Sequence, residues 1–336
     1  MLREVFLVVT EEKIENYEIW SNNLTKVYEK KENAVMAVNK INLRVLPGIH
    51  GFLGPNGAGK TTTINMLIGA LSITEGEARI RGLKPGSVAA NQLIGFLPQN
   101  PQFYKDMTGE EYLIYMGMLG GLSKEEANRR GQELLRSFDM WEERTRQIGK
   151  YSGGMKQKIG ITAALIHRPK ILILDEPTAN LDPIGRQNII DRIKELSSQV
   201  SVFISSHILG EIEQMCQVVT MINNGEIVVS DTIKNIKSQF VGNTFLLKTS
   251  KDKEILPQLQ KDPDIEKAWL TEEEGGEISI CIIPKDPEKL QKKIPKLILD
   301  NDAILKTFKQ PEVTLQDVFM ATMAREEKGR GERKHA

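Results

Sequence analysis

A glycine-rich segment that ends in a lysine and two threonines has the residue types that grip a triphosphate. Residues 54–62 read GPNGAGKTT, between the apolar run GIHGFL and the helix-forming run TTTINMLIGAL. This arrangement fits the spacing GxxxxGK followed by Ser or Thr. Glycines let the backbone turn its N–H groups towards phosphate oxygens, Lys60 neutralises the terminal phosphates, and the Thr61 hydroxyl suits a magnesium ion. We call this segment the phosphate loop, and its predicted nucleotide-binding residues are Gly54, Pro55, Asn56, Gly57, Ala58, Gly59, Lys60, Thr61 and Thr62.

Two carboxylates end a second apolar run, ILILDEP at 171–177. A continuous apolar run is typical of a buried parallel strand, and ligands meet the carboxyl ends of such strands. We therefore expect Asp175 beside the phosphate loop, where it can hold Mg²⁺ directly or through water. Neighbouring strand residues face opposite ways, so Glu176 is expected to point elsewhere and to polarise a water molecule towards the γ-phosphate. A positioned base is typically worth about 10²–10⁴ in rate.

A serine and two glycines open another helical pattern, YSGGMKQK at 151–158. Backbone N–H groups at a helix start attract anions, so Ser152, Gly153 and Gly154 form a second candidate phosphate grip. Ser152 is also a suitable helix N-cap, and the two interpretations are compatible. These residues alone do not say why one chain carries two grips so far apart in sequence.

Three further short motifs complete an ordered set. Gln99 follows the strand-like run LIGFLP, NLDP occupies 180–183, and His207 follows VFISS. With the phosphate loop, YSGGM and ILILDEP, they resemble the Walker A, Q-loop, signature, Walker B, D-loop and H-switch motifs of the ATP-binding subunits of ABC transporters. The resemblance covers about residues 19–235. It implies an α/β fold, a P-loop NTPase of the ABC ATPase type with an antiparallel β subdomain and a helical subdomain.

The resemblance implies an explanation for the two grips. In this family two ATPase domains close head to tail, and each ATP lies between the phosphate loop of one subunit and the signature of the other. Ser152, Gly153 and Gly154 are then expected to contact the γ-phosphate of a nucleotide bound to a second subunit, and Asp182 of the D-loop to touch that subunit. Whether the dimer is homomeric or heteromeric stays open.

The resemblance also implies roles for residues outside the grips. Gln99 senses Mg²⁺ or the attacking water and links to the membrane partner, and His207 contacts the γ-phosphate and the glutamate-bound water. Tyr28 ends LTKVY, from which the family stacks an aromatic ring on adenine, an interaction worth about 1–3 kcal/mol. The implied cofactors are ATP and Mg²⁺. The predicted catalytic residues are Glu176, His207, Gln99 and Lys60, and the predicted metal ligands are Thr61, Gln99 and Asp175.

The runs around these motifs divide the chain into four segments. We expect an N-terminal extension over 1–18, the ATPase domain over 19–238 and its helical subdomain over about 101–165. After about residue 240 the pattern reads strand, helix, strand, strand, helix, strand, with Gly275-Gly276 at a hairpin. That order predicts a small ferredoxin-like unit, an accessory domain over 241–324. A charged tail follows over 325–336.

The helical segment carries its own start signals and an apolar stripe. Thr108 and Ser123 each stand three residues before a glutamate, the spacing of a capping box. Between them, EEYLIYMGMLGGL is apolar and aromatic, and most of that stripe is expected in the core. Residues near Tyr104 and Met107 could instead form an exposed groove for a helix of the membrane permease.

Length, charge and cysteine content limit the classes of protein to which this chain can belong. The 336 residues suffice for about two domains. Lys plus Arg and Asp plus Glu are both 45, so a nucleic-acid binder built on bulk positive charge is excluded. The two cysteines form no CxxC motif, which favours the reducing cytosol. No apolar run reaches the length of about 18 residues that a membrane span needs. We expect a cytoplasmic protein that lies on the inner face of the membrane through an integral membrane permease.

Two classes of function fit the motifs. The first is the motor subunit of an ABC transporter, and TLQDVFM at 314–320 resembles the end of exporter subunits for drugs, lipids or polysaccharides. The second is a soluble ABC-type ATPase that regulates a non-transport process. Translation members carry two cassettes and repair members a long coiled coil, and neither is found here. A non-hydrolysing module is disfavoured by Glu176 and His207, and a GTPase by the lack of an NKxD motif.

Overall fold

The computed structural model describes residues 14–30, 33–179, 181–240, 244–272, 278–310, 314–316 and 318–319. The chain divides into two compact units between Ile233 and Lys234. The predicted limits of the ATPase and accessory domains stay a proposal, and the two divisions differ over the helix Ile233–Phe240. Most of the predicted extension, the Gly275-Gly276 turn and the charged tail lie outside the described residues.

The first unit alternates strands and helices. Its described strands are β1 (Ile19–Lys30), β2 (Asn33–Ile41), β3 (Arg44–Val45), β4 (Ile49–Leu53), β5 (Glu75–Ile80), β6 (Ile94–Leu97), β7 (Ile171–Asp175), β8 (Ser201–Ser206), β9 (Val218–Asn223) and β10 (Glu226–Thr232). Its described helices are α1 (Lys60–Leu67), α2 (Val88–Leu93), α3 (Gly109–Leu119), α4 (Lys124–Ser137), α5 (Gly153–Leu165), α6 (Pro183–Leu196) and α7 (Leu209–Met215).

A sheet of order β10-β9-β4-β8-β7-β6 runs through the first unit. All its neighbours pair in parallel except β9 and β10. Every residue of β7 is buried, as its continuous apolar run predicts. Because parallel strands place their carboxyl ends at one edge, the segments that follow β4, β7 and β8 meet there.

An antiparallel sheet covers α1 from the other side. Its order is β2-β1-β3, with β5 also paired to β1. Ile19 and Leu24 of this sheet share one core with Ile64 of α1 and with Phe52 and Phe203 of the central sheet. The phosphate loop and α1 are therefore held between two sheets.

The hairpin between β9 and β10 has the turn that its sequence predicts. Asn224 and Gly225 both take positive φ angles, 48° and 81°. That backbone is the one an Asn-Gly turn adopts between antiparallel strands. A Cβ on Gly225 would lie 2.8 Å from the carbonyl oxygen of Ala37, so the turn also packs closely on β2.

The helical segment begins as its capping signals predict. The Thr108 side chain accepts a hydrogen bond from the Glu111 N–H, and the Glu111 carboxylate accepts one from the Thr108 N–H, so the capping box is complete. Ser123 caps α4 through the Glu126 N–H alone. Of the apolar stripe, Tyr112 and Leu113 are buried, whereas Met118 and Leu119 are 50% and 66% exposed. The core therefore takes up only part of the stripe, not most of it as predicted.

The second unit has the predicted ferredoxin-like order. Helix α8 (Ile233–Phe240) spans the division between the two units. The described elements after it are β11 (Phe245–Thr249), α9 (Asp252–Gln260), β12 (Ile265–Glu272), β13 (Ile278–Pro284), α10 (Pro287–Asp300) and β14 (Leu305–Lys309). The sheet order is β12-β13-β11-β14 with antiparallel pairs throughout, as two interleaved split βαβ units require. Leu247 and Ile280 of the sheet pack with Ile255 of α9 and Ile294 of α10.

Among the described residues, no helix combines the length and the apolar character of a membrane span.

His50 is buried in β4, and its titration makes stability depend on pH. Its Nε2 lies 2.8 Å from the Thr220 hydroxyl, and burial lowers the pKa of His50 from 6.5 to about 4. Since the unfolded chain binds the proton more tightly, stability is complete above pH 6.5 and falls as pH drops from there towards 4. The loss attributable to this group reaches about 3 kcal/mol.

We expect His50→Gln to flatten this dependence. Urea unfolding at pH 7.5, 6 and 5 gives the free energy of unfolding of the native and variant chains. The difference between the two free energies of unfolding should shrink as pH falls, because only the native chain loses the contribution of His50. Carboxylates that titrate in the same range contribute equally to both chains and cancel in the difference. Parallel profiles for the two chains would contradict the assignment.

Candidate functional site

The phosphate loop joins β4 to α1 and depends on glycine at defined positions. Gly57 and Gly59 have φ angles of 80° and 106°, a left-handed region that favours glycine. A Cβ on Gly59 would also lie 2.6 Å from the carbonyl oxygen of Ala37. Gly59 is the N-cap of α1, so the helix directs its N–H groups towards the loop, an arrangement that binds anions.

Helix α1 is shorter than its sequence predicts. The apolar run indicates a helix to residue 71, whereas α1 ends at Leu67. Gly69 has a φ angle of 76°, and a Cβ there would lie 2.2 Å from the Cα of Gly86. The left-handed glycine therefore ends the helix where another loop passes close by.

Lys60 is buried and faces both the loop and a carboxylate. Its Nζ donates to the carbonyl oxygens of Gly54 and Pro55 at 2.7 and 3.2 Å. It also lies 3.2 Å from Oε1 of Glu176. The ammonium group thus lies between its own loop and the end of β7.

Asp175 lies beside the phosphate loop as the strand pattern predicts. Its Oδ2 accepts a hydrogen bond from Thr61 Oγ1 at 2.9 Å, and its Oδ1 accepts one from Ser205 Oγ at 2.5 Å. Hydroxyl and carboxylate oxygens suit Mg²⁺, which usually also takes substrate phosphates and water. Within the described ranges, no group of three or more His, Cys, Asp or Glu forms a metal cage. The Thr61–Asp175 pair therefore fits an ion that is held partly by phosphate.

Glu176 is turned towards Lys60 and His207 by its backbone. The residue follows the end of β7 and has a φ angle of 53°, so strand alternation is not what directs its side chain. Ser205 holds this conformation by accepting from the Glu176 N–H at 3.0 Å. Oε2 of Glu176 lies 2.5 Å from Nδ1 of His207, and the carboxylate is 4% exposed. Because an ionised carboxylate only accepts, we assign the proton to Nδ1.

Lys60, Thr61 and Glu176 line a cavity of about 300 Å³. Asp175 and His207 do not line it themselves but contact its lining through Thr61 and Glu176. Ala37 lines it from β2, and Gln99 lines it from the segment after β6. The other lining residues belong to the phosphate loop and to the end of β7: Asn56, Gly57, Gly59, Lys60, Thr61, Thr62 and Glu176. The cavity thus gathers the predicted loop, the predicted glutamine and the predicted base.

Other predicted site residues lie outside this lining. Ser152 is exposed at the N-cap of α5, where its Oγ accepts from the Met155 N–H at 3.3 Å. Asp182 is likewise the N-cap of α6, bonded to the Gly185 N–H at 3.2 Å. Tyr28 is on β1 with 38% of its surface exposed. The structure thus brings the phosphate loop and the carboxylates together but not the signature, and the adenine-stacking role of Tyr28 stays a prediction.

Two residues near the site were missed from sequence. Ser205 hydrogen-bonds both the Asp175 carboxylate and the Glu176 N–H. The sequence carried a signal for it, because two hydroxyl residues end the apolar run VFISS. Ala37 contacts the phosphate loop through β2, and no local pattern marks it. Ser205 therefore belongs among the candidate site residues.

Fold and site together define a P-loop nucleotide hydrolase. A family profile described as ABC transporter matches residues 38–179. The ABC transporter ATP-binding protein YxlF of Bacillus subtilis is 39% identical over 277 residues, 80% of this chain and 88% of that protein. The bacitracin transport ATP-binding protein BcrA of Bacillus licheniformis is 38% identical over 226 residues, 66% of this chain and 72% of that protein. This chain belongs to the ABC transporter family and is an ATP-binding, ATP-hydrolysing subunit.

Solved structures support the same fold. An ATP-binding subunit of an ABC transporter superposes with a TM-score of 0.59 at 29% identity, covering 66% of this chain and 92% of that chain. The dimeric ATP-binding cassette MJ0796, bound to ADP and Pi, gives a TM-score of 0.59 at 24% identity, covering 64% and 98%. The predicted family and fold class are confirmed.

Proposed function

We propose that this subunit closes head to tail with a second ATPase subunit on two ATP molecules and drives a separate membrane permease. One observation carries the proposal. The cavity at the phosphate loop includes none of Ser152, Gly153 and Gly154 in its lining. Ser152 is instead exposed at a helix start, where N–H groups attract anions. A second subunit that brings its signature to the cavity would complete the grip.

The residues of the phosphate loop and those at the ends of β7 and β8 have separate roles in hydrolysis. Lys60 neutralises the terminal phosphates. Thr61 and Asp175 would hold Mg²⁺, which would supply further positive charge at the phosphates. Glu176 orients water and accepts its proton, since it is the buried carboxylate that Lys60 and His207 both contact. His207 fixes the direction of that carboxylate through its Nδ1. These roles are typical of positioning and electrostatic stabilisation in phosphoryl transfer.

Gln99 and Tyr28 extend the site on two sides. Gln99 lines the cavity and follows the core strand β6, so it can report the state of the phosphates to the segment that comes next. Tyr28 is cross-strand from Val35, two residues before Ala37 of the cavity lining. We propose that its exposed ring stacks on adenine.

An exposed groove in the helical segment is the proposed docking place for the permease. Tyr104 and Met107 line a cavity of about 780 Å³ with Phe103, Lys105, Asp106 and Glu111. The ring of Tyr104 is exposed and meets Tyr115 edge to face at 5.5 Å. Aromatic and methionine side chains of this kind are enriched at protein interfaces. A peripheral position on the inner face of the membrane follows.

The names of relatives favour export. The bacitracin transport protein BcrA is joined by the linearmycin resistance ATP-binding protein LnrL of Bacillus subtilis, 36% identical over 230 residues, 67% of this chain and 73% of that protein. We propose that this subunit likewise powers an exporter. The choice of cargo belongs to the membrane subunit.

The head-to-tail dimer is tested by a charge at the signature. In a Glu176→Gln background that retains ATP, Ser152→Glu places a carboxylate where the partner's γ-phosphate would bind. We expect ATP binding to persist and the ATP-dependent dimer to disappear in sedimentation experiments. Repulsion between the two negative charges is the reason.

Ser123→Glu is the matched control. Ser123 also caps a helix through its hydroxyl, at 3.1 Å from the Glu126 nitrogen. Each change therefore removes one N-cap, which costs about 0.5–2 kcal/mol. The control should still dimerise. Equal dimerisation by both variants would contradict the role of the signature.

A further inference from the structure

A carboxylate outside the cavity contacts three segments that carry site residues. Glu211 is on α7 and is 4% exposed. Its Oε2 accepts a hydrogen bond from Thr178 Oγ1 at 2.6 Å, and Ser206 Oγ lies 3.4 Å from the same oxygen. Its Oε1 is 3.2 Å from Nε of Arg186, an ion pair whose N–H is not aligned for a hydrogen bond.

The hydrogen-bond and ion-pair partners of Glu211 belong to segments that carry the site residues. Thr178 comes two residues after Glu176, and Ser206 comes directly before His207. Arg186 is on α6, the helix that Asp182 caps. One buried group thus joins the base segment, the histidine segment and the helix of the D-loop.

The cost of burying a carboxylate indicates that Glu211 does more than fill space in the core. A carboxylate removed from water is costly unless it is paired and hydrogen-bonded. The side chain of Arg186 is 36% exposed, so the pair is desolvated on one side only. The short bond from Thr178, which is itself buried, fixes the orientation of the carboxylate.

We propose that Glu211 is a positioning residue for ATP hydrolysis. It holds the segments of Glu176 and His207 in the relative position that their 2.5 Å contact requires, and through Arg186 it couples that position to the D-loop helix. The inference rests on the proposed role of Glu176 as the base. Glu211 itself does not line the cavity.

The test separates turnover from binding. Glu211→Gln keeps an oxygen that accepts from Thr178 but loses the charge facing Arg186. We expect kcat to fall about 10- to 100-fold, because small errors in the position of a reacting group are costly, while KM for ATP stays within about threefold. Thr178→Val, which keeps the shape of the buried side chain, and Arg186→Met should show the same division between kcat and KM.

A double variant tests whether Glu211 and Thr178 act through the same network. The double variant Glu211→Gln with Thr178→Val should lose no more kcat than the poorer single variant, since coupled residues act together. Gln214→Ala is the control, because Gln214 joins α7 to α6 through Gln187 at 3.2 Å without contacting the base segment. The control should keep kcat within about twofold of the native enzyme.

Two results would overturn the proposal. One is a kcat in Glu211→Gln and Thr178→Val that stays within about twofold of native, and the other is a loss that Gln214→Ala reproduces. Thermal unfolding checks that each variant is folded at the assay temperature. Turnover of Glu176→Gln reports separately on the base, so failure of that assignment is distinguishable from failure of the positioning role.

Discussion

Glu176→Gln is expected to lower kcat by about 10²–10⁴ while ATP stays bound. The amide keeps the shape of the side chain and its place near Lys60 and His207, but it cannot accept a proton from water. Both phosphate grips are untouched, so the proposed dimer should accumulate in the ATP-bound state. The reason is kinetic, since closure remains favourable and the step that reopens the dimer is blocked.

Single-turnover hydrolysis and sedimentation with Mg-ATP measure the two halves of this prediction. Glu195→Gln is the control, since Glu195 is an exposed residue of α6 that pairs with Arg192 at 2.6 Å. The control should turn over normally and remain monomeric once ATP is spent. A Glu176→Gln subunit that hydrolyses ATP at the native rate would remove Glu176 from the role of base, and a purely monomeric one would remove the closed dimer.

Lys60→Ala is expected to weaken ATP binding itself by about ten- to a hundredfold. A hydrogen bond to a charged group is worth about 1.5–3 kcal/mol, which corresponds to that range in Kd. The ammonium group of Lys60 is buried beside the phosphate loop, so an exposed lysine elsewhere cannot take over its contact with the phosphates. The prediction is opposite in kind to that for Glu176, where binding survives and turnover is lost.

Calorimetric titration with Mg-ATP measures the effect. Lys60 also donates to the carbonyl oxygens of Gly54 and Pro55, so its loss affects the shape of the loop as well as its charge. Lys60→Gln, which retains an amide donor, separates the two contributions. Lys170→Ala removes an exposed cation and should leave the affinity unchanged. An unaltered Kd in Lys60→Ala would refute the assigned role.

Comparing the two variants also tests how binding and closure are linked. A chain that combines both substitutions lacks the base and the loop cation. We expect it to stay monomeric at ATP concentrations that dimerise Glu176→Gln alone, because ATP must be held before it can join two subunits.

Local patterns determined much of this protein. The phosphate loop, the buried strand before Asp175, the capping box at Thr108 and the Asn224-Gly225 turn each depend on a few adjacent residues, and each has the conformation that those residues favour. The ferredoxin-like order of the second unit also follows from the succession of short apolar runs. Such features are predictable because backbone preferences and hydrophobic periodicity act over short distances.

Tertiary packing decided the rest. The left-handed conformation of Glu176 depends on Ser205 of a neighbouring strand, and the network of Glu211 joins residues from three segments. The early end of α1 depends on the close approach of Gly86. Sequence by itself determined which groups could do phosphate chemistry, because their types and spacing are local. Only the tertiary structure decided which of them share a cavity, because contacts between distant segments form when the sheets and helices pack.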